Sequence, residues 1–157
     1  MRKRSKYRPK VQLANPIDYV LESIKPVKDH DDYLLNIKLL ATNAFAELST
    51  GTAQKDHMDK LVAAHNIVQS LMHLGYGSQF EAWTDRSKDA LVAICERSKK
   101  LGRYVATGPE LQALRDLLEL HDSQMECITV KDMERANAHA RKIQNNNKAT
   151  KLYAGTN

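Results

Sequence analysis

Residues 55–74 read KDHMDKLVAAHNIVQSLMHL, and this stretch decides the fold. Met58, Leu61, Val62, Ile67, Val68, Leu71, Met72 and Leu74 recur at the three- and four-residue spacings of an α-helix, with no alternation of strand type. Projected around the helix axis, they cover much of the circumference. A helix on the surface of a domain needs one apolar stripe, whereas a helix apolar over so wide an arc must be covered on several sides. The stretch therefore predicts the central helix of a bundle.

Working outward, the flanking segments supply the helices that would cover it. Asp31 and Asp32 suit a helix N-terminus, and the segment after them carries Leu34, Ile37, Ala41, Ala44 and Leu48 as an inward stripe, widened by Leu40 and Phe45. Gly51 stops that helix, and Thr52 is the expected cap of the central one. Beyond Gly75-Tyr76-Gly77, Ser78 and Glu81 have the spacing of a capping box. They open a fourth helix through Phe80, Trp83, Ser87, Ala90, Leu91, Ile94, Cys95 and Leu101, ending at Gly102. Thr107-Gly108-Pro109-Glu110 repeats the start signal, with proline in the first turn. Leu111, Leu114, Leu117, Leu118, Met125 and Ile128 form the stripe of that fifth helix. Thr129 and Asp132 begin a sixth with Met133, Ala136, Ala140 and Ile143. Before all of these, Asn15-Pro16 opens a short helix with Ile17, Val20, Leu21 and Ile24 on one side, stopped at Lys25-Pro26.

Composition agrees. The 157 residues are one domain's worth of chain, with one Trp, two Phe and six Tyr, so the core must come from aliphatic side chains and Met. Aliphatic cores suit helix packing better than a sheet sandwich. The fold class is therefore all-α: a bundle of five to six helices, the long ones alternating in direction across short loops. The expected organisation is a basic extended arm over 1–14, one helical domain over 15–144 and a polar basic tail over 145–157.

Charge is distributed unevenly. Residues 1–10 carry six Lys and Arg and residues 141–157 carry four, with no acid in either segment. All 19 Asp and Glu lie between, beside fourteen cations, so a body of net −5 sits between ends totalling +10. Basic arms of this kind look for an acidic partner: nucleic acid, an acidic protein surface or a second copy. In MRKRSKYRPK, Arg2, Lys3, Arg4, Lys6, Arg8 and Lys10 can neutralise phosphates while Tyr7 stacks on a base or sugar. These seven residues are the expected nucleic-acid-binding set, for DNA or RNA. A solvated tail without a specific ligand is the plain alternative, and an acidic protein groove is a third.

Catalytic and metal chemistry find no such support. His57, His65 and His73 sit eight apart on one helix, a spacing that drifts about 80° per step, so they do not converge on one ion. No HExxH, EF-hand or Cys/His cluster occurs. His121-Asp122 and His30-Asp31-Asp32 read as solvated polar faces, since neighbours on a helix point apart. Gly75-Tyr76-Gly77 lacks the Gly-Lys-Ser/Thr of a phosphate loop and reads as a helix stop. Cys95 falls on an apolar stripe with Leu91 and Ile94 and reads as a buried small hydrophobe. Neither cysteine belongs to a CxxC pair, which suits a reduced cytoplasmic setting. No apolar run approaches a membrane span, and the positive N-terminus lacks the apolar segment of a signal peptide. No enzyme, metal or cofactor is expected. A homodimer is, because the third and fourth helices carry wide apolar faces.

The opening MRKRSKYRPK, Asn15-Pro16 followed by Tyr19-Val20-Leu21-Glu22-Ser23, and Thr129-Val130-Lys131-Asp132-Met133-Glu134-Arg135-Ala136 resemble small uncharacterised helical accessory proteins encoded by phages, prophages and mobile elements of Gram-negative bacteria. The resemblance runs along most of the chain and carries no site residues. It implies an accessory role: regulating nucleic-acid transactions, or inhibiting a host enzyme or defence complex through the helical body.

Overall fold

A computed structural model describes residues 16–29 and 31–145. Six α-helices follow one another: α1 (Pro16–Ser23), α2 (Asp31–Thr50), α3 (Lys55–His73), α4 (Glu81–Leu101), α5 (Gly108–Cys127) and α6 (Val130–Asn145). Two single 3₁₀ turns, Val27–Asp29 and Ser78–Phe80, precede α2 and α4. Among the described residues there is no strand, and the one extended pairing is an isolated antiparallel bridge between Pro26 and Thr129.

The helix α3 is the hub, as its apolar circumference requires. It packs against α2, α4, α5 and α6. Met58, Leu61 and Val68 enter the larger core cluster, beside Leu48 of α2, Leu91 and Ile94 of α4, and Leu114 and Leu117 of α5. Its last turn sends Leu71 into a second cluster with Val27, Met125, Ile128, Met133 and Ala136. One helix thus ties both halves of the core together.

Side-chain pairs fix the directions. Arg86 of α4 meets Asp116 of α5, and Arg97 meets Glu110. Likewise Lys38 of α2 meets Glu126 of α5, while Arg115 lies over the Phe45 ring. As one index rises the other falls, so α5 runs antiparallel to both α4 and α2.

Local signals set several helix ends. Thr107 and Glu110 form the expected capping box, the Thr107 backbone N–H donating to Glu110 Oε2 at 2.7 Å. Thr129 and Asp132 do the same, each bonding the other's backbone N–H at 3.2 Å. Gly102 closes α4 at φ +68°, a left-handed conformation that a Cβ disfavours.

Two caps fall elsewhere than the sequence suggests. Thr52 does not open α3; its hydroxyl turns back to Glu47 at the end of α2. The N-cap is Gln54, whose backbone N–H donates to His57 Nδ1 at 3.1 Å. Ser78 lies in the 3₁₀ turn instead of capping α4, whose N-cap is Phe80. Here Gly77 adopts φ +80°, and a Cβ would sit 3.2 Å from Leu120 Cδ1, so the chain turns tightly against α5 before α4 can begin.

The inward stripes are largely buried, the exceptions being Leu40, Leu74 and Leu101, all exposed, and the stripe of the first short helix. Ala41, Ala44 and Leu48 of α2 are buried, but Leu40 is half exposed, and the Leu34 side chain lies outside the described residues. On α1 the apolar side faces outward: Ile17, Val20 and Leu21, with Ile24 just past its end, are between 53% and 70% exposed. The first fully buried anchor among the described residues is instead Val27.

These burials predict a steep contrast between two leucines. Leu61→Ala, at the fully buried hub, should lower unfolding free energy by about 3 kcal/mol. Leu39→Ala, on the exposed part of α2, should cost less than about 1 kcal/mol. Urea denaturation of both variants measures the difference, and near-equal losses would contradict the placement of the core.

Candidate nucleic-acid interface

The seven arm residues named from the sequence, Arg2, Lys3, Arg4, Lys6, Tyr7, Arg8 and Lys10, lie outside the described residues. What the structure does give is the place at which the chain leading from them joins the bundle. The Val27 N–H donates to Ile128 O at 2.9 Å, and the Val130 N–H donates to Lys25 O at 3.1 Å. These two bonds fasten the segment after α1 to the start of α6, and Val27 is buried beneath them. Helix α1 then rests on α6. The basic N-terminal sequence therefore enters the fold beside the helix that leads into the basic C-terminal sequence.

Helix α6 divides its residues cleanly. Met133 and Ala136 are buried, and Asn137, His139, Ala140 and Ile143 are half-buried. His139 Nδ1 lies 3.1 Å from Ser70 Oγ of α3, and its ring packs edge-on against His73 at 4.8 Å between centroids. On the opposite side Lys131, Arg135, Ala138 and Lys142 succeed one another at steps of four, three and four, all exposed. Such spacing lines side chains along one face of a helix. Arg141 is exposed beside them. Only Asp132 and Glu134 offset these cations within the helix. Asp132 is also occupied inward, accepting the Tyr76 hydroxyl at 2.8 Å and the Thr129 hydroxyl at 2.7 Å. Burial works against its ionisation, but those hydrogen bonds, with Arg135 nearby, outweigh burial and hold its carboxyl below the ordinary value. Arg135, 3.9 Å from it and 60% exposed, is only weakly held.

By contrast, the bidentate pair of Arg97 with Glu110 belongs to the framework. Arg97 grips Glu110 through two hydrogen bonds of 2.6 and 2.8 Å and donates a third to Val105 O at 2.6 Å. It locks the end of α4 and its following loop to the first turn of α5. The Arg97 hydrogen bonds, helped by those from Thr107 and opposed by partial burial, hold the Glu110 carboxyl below its ordinary value.

The histidines have different neighbours, and not all of them reach solvent. Among the described residues no three His, Cys, Asp or Glu gather as metal ligands; His30 lies outside them. His57 serves the α3 cap. His121, expected on a solvated face, is only 2% exposed, and its Nδ1 sits 3.4 Å from Asp122 Oδ1 at the surface. His65 is buried too, with Nδ1 3.0 Å from Ser87 Oγ. Ser87 spends its own hydrogen on Thr84 O at 2.9 Å. Its oxygen is thus left as the acceptor, and Nδ1 of His65 carries the proton. Cys95 is buried, as its stripe implies, and Cys127 is exposed. No described helix is long and apolar enough to cross a membrane. No protein-family model matches the chain, and no curated protein or solved structure matches it either.

Burial, reinforced by Lys88 and opposed by Asp85, depresses the His65 pKa from 6.5 to about 4. A depressed value means that the neutral ring's stabilisation is complete above pH 6.5 and is lost as pH falls toward 4. The full effect is about 3 kcal/mol. The thermal stability of wild type should therefore fall as pH drops from 6.5 to 4.5. His65→Gln, which keeps a polar contact to Ser87 but does not titrate, should flatten that decline. An identical pH profile in both proteins would show that His65 is not the group responsible.

Proposed function

We propose that this protein is a nucleic-acid-associated accessory or regulatory protein, of the phage or mobile-element type its sequence resembles, and that it acts by binding without catalysis. The observation that carries this reading is the segregation of charge. The six cations of residues 1–10 lead into α1, α1 rests on α6, and the exposed stripe of Lys131, Arg135, Arg141 and Lys142 continues in sequence to Lys148 and Lys151. A body of net −5 turns away from a polyanion while this side turns toward it. Phosphate contacts of this kind bind DNA or RNA with little sequence preference and a strong dependence on salt.

A second reading, a protein-binding inhibitor of a host enzyme or defence complex, is favoured by a different observation. Seven large apolar side chains, in α1, at Ile24 just after it and in the first half of α2, are 45% exposed or more. Docking on such a surface would depend on apolar anchors and vary little with salt.

Titrations of duplex DNA and single-stranded RNA across a salt series decide between the two. Arm contacts alone predict a log–log slope of about −4 to −5 on duplex DNA. Contacts by Lys131 and Arg135 would steepen it by about a further 2, which the double variant Lys131→Glu with Arg135→Glu should remove, with weaker binding at low salt and helicity unchanged. Lys88→Glu, on α4, should do neither. Tyr7→Ala should cost roughly 1–3 kcal/mol on a single strand, with little effect on the slope. Absence of binding to either nucleic acid at low salt would overturn the first reading and leave the docking module.

A further inference from the structure

Helix α6 packs chiefly on α3, with α1 beside it, and turns Met133 and Ala136 inward. Its outer side is open to solvent. With about 100° between successive residues, Lys131, Arg135, Arg141 and Lys142 all project within roughly 60° of Ala138, and all five are exposed. Glu134 faces the same way, so four cations stand against one acid on this side.

These cations are placed to take a ligand. Elsewhere on the body Lys38, Lys60, Arg86, Arg97 and Lys99 each have a carboxylate within 3.5 Å. Lys131, Arg141 and Lys142 have no ion-pair partner among the described residues, and Arg135 approaches only Asp132, at 3.9 Å. Their order along the helix is also particular. Lys131 and Arg135 form one pair and Arg141 and Lys142 another, with midpoints about 13 Å apart along the axis at 1.5 Å per residue. Between the pairs stands Ala138, whose side chain is a single methyl. We propose, building on the nucleic-acid reading above, that α6 lies across the major groove of B-form duplex DNA. Lys131 and Arg135 then meet the phosphates of one strand, and Arg141 and Lys142 those of the other.

Dimensions select this partner. The major groove of B-form DNA is about 12 Å wide and admits an α-helix, and each of its rims is a line of phosphates from one strand. Two pairs of cations about 13 Å apart meet both rims at once. At Ala138 nothing longer than a methyl stands between the helix and the base edges, so the helix can sink until its cations reach. Other nucleic acids lack this geometry. The major groove of an RNA duplex is too deep and narrow to be read by side chains, and a single strand has only one line of phosphates. The fixed spacing on α6 thus adds a preference for shape to an attraction that charge alone would leave indifferent.

Fluorescence anisotropy of the full chain, with one sequence prepared as DNA duplex, RNA duplex and single-stranded DNA, tests the placement. Dimethyl sulfate footprinting accompanies it, because guanine N7 faces the major groove. The DNA duplex should bind at least about tenfold more tightly than the other two, with guanine N7 protected in the complex. Arg141→Glu with Lys142→Glu should weaken duplex binding about as much as Lys131→Glu with Arg135→Glu. Lys100→Glu with Arg103→Glu, around the end of α4, changes net charge equally and should do far less. Ala138→Leu adds no charge and keeps a strong helix former at an exposed position. It should weaken DNA-duplex binding by about tenfold and leave the single strand unaffected, with circular dichroism unchanged. Equal affinity for the RNA duplex or the single strand would overturn the groove placement while the nucleic-acid reading stood. So would guanine N7 that stays reactive at full occupancy, or a DNA duplex indifferent to Ala138→Leu. Absence of binding to all three nucleic acids would overturn both.

Discussion

Everything in this structure depends on keeping water away from α3. Its buried residues point in several directions, so no single neighbouring helix can cover them, and four do. Each covering helix needs one apolar stripe and can leave its other face wet. The framework's polar contacts then fix register at the edges of that arrangement. Arg97 with Glu110 sets α4 against α5, and Gln124 donates to Tyr76 O at 2.9 Å, holding the turn after α3 against α5. Hydrophobic burial supplies the cohesion, and these hydrogen bonds select one packing among those that burial alone would allow.

Features governed by nearest neighbours were legible in the sequence. The boxes at Thr107/Glu110 and Thr129/Asp132 and the stop at Gly102 each involve residues three or four apart, and each forms as read. Thr52 and Ser78 carry equally good local signals but lose to other demands: Thr52 to the open end of α2, Ser78 to the tight passage of Gly77 beneath Leu120. The α1 stripe has correct periodicity, yet periodicity says that a face is apolar without saying what covers it. His65 and His121 were hidden for a related reason. A polar residue among apolar ones looks like a break in the stripe, and only the packing of neighbouring helices shows that it lies within.

The candidate interface was half visible. The six cations of residues 1–10 are contiguous in sequence and conspicuous. Lys131, Arg135 and Lys142 are spread over twelve residues and interrupted by Asp132 and Glu134. Helical geometry is what lines them up, and a long-range pairing of backbone bonds is what brings α1 beside them. Neither step can be counted from composition, because the two segments are separated by most of the chain.

The bridge between Pro26 and Thr129 has a consequence in time. It joins positions about a hundred residues apart, so its loop-closure cost is among the largest in the fold. Contacts of such separation form late, after local helices and hairpins have shortened the effective loop. During synthesis Val27 leaves the ribosome long before Ile128 and Val130, the residues that will hold it, exist. Helix α1 must therefore wait, its apolar side exposed, until the start of α6 has been made. Its anchoring follows the packing of the helices between, and does not precede it.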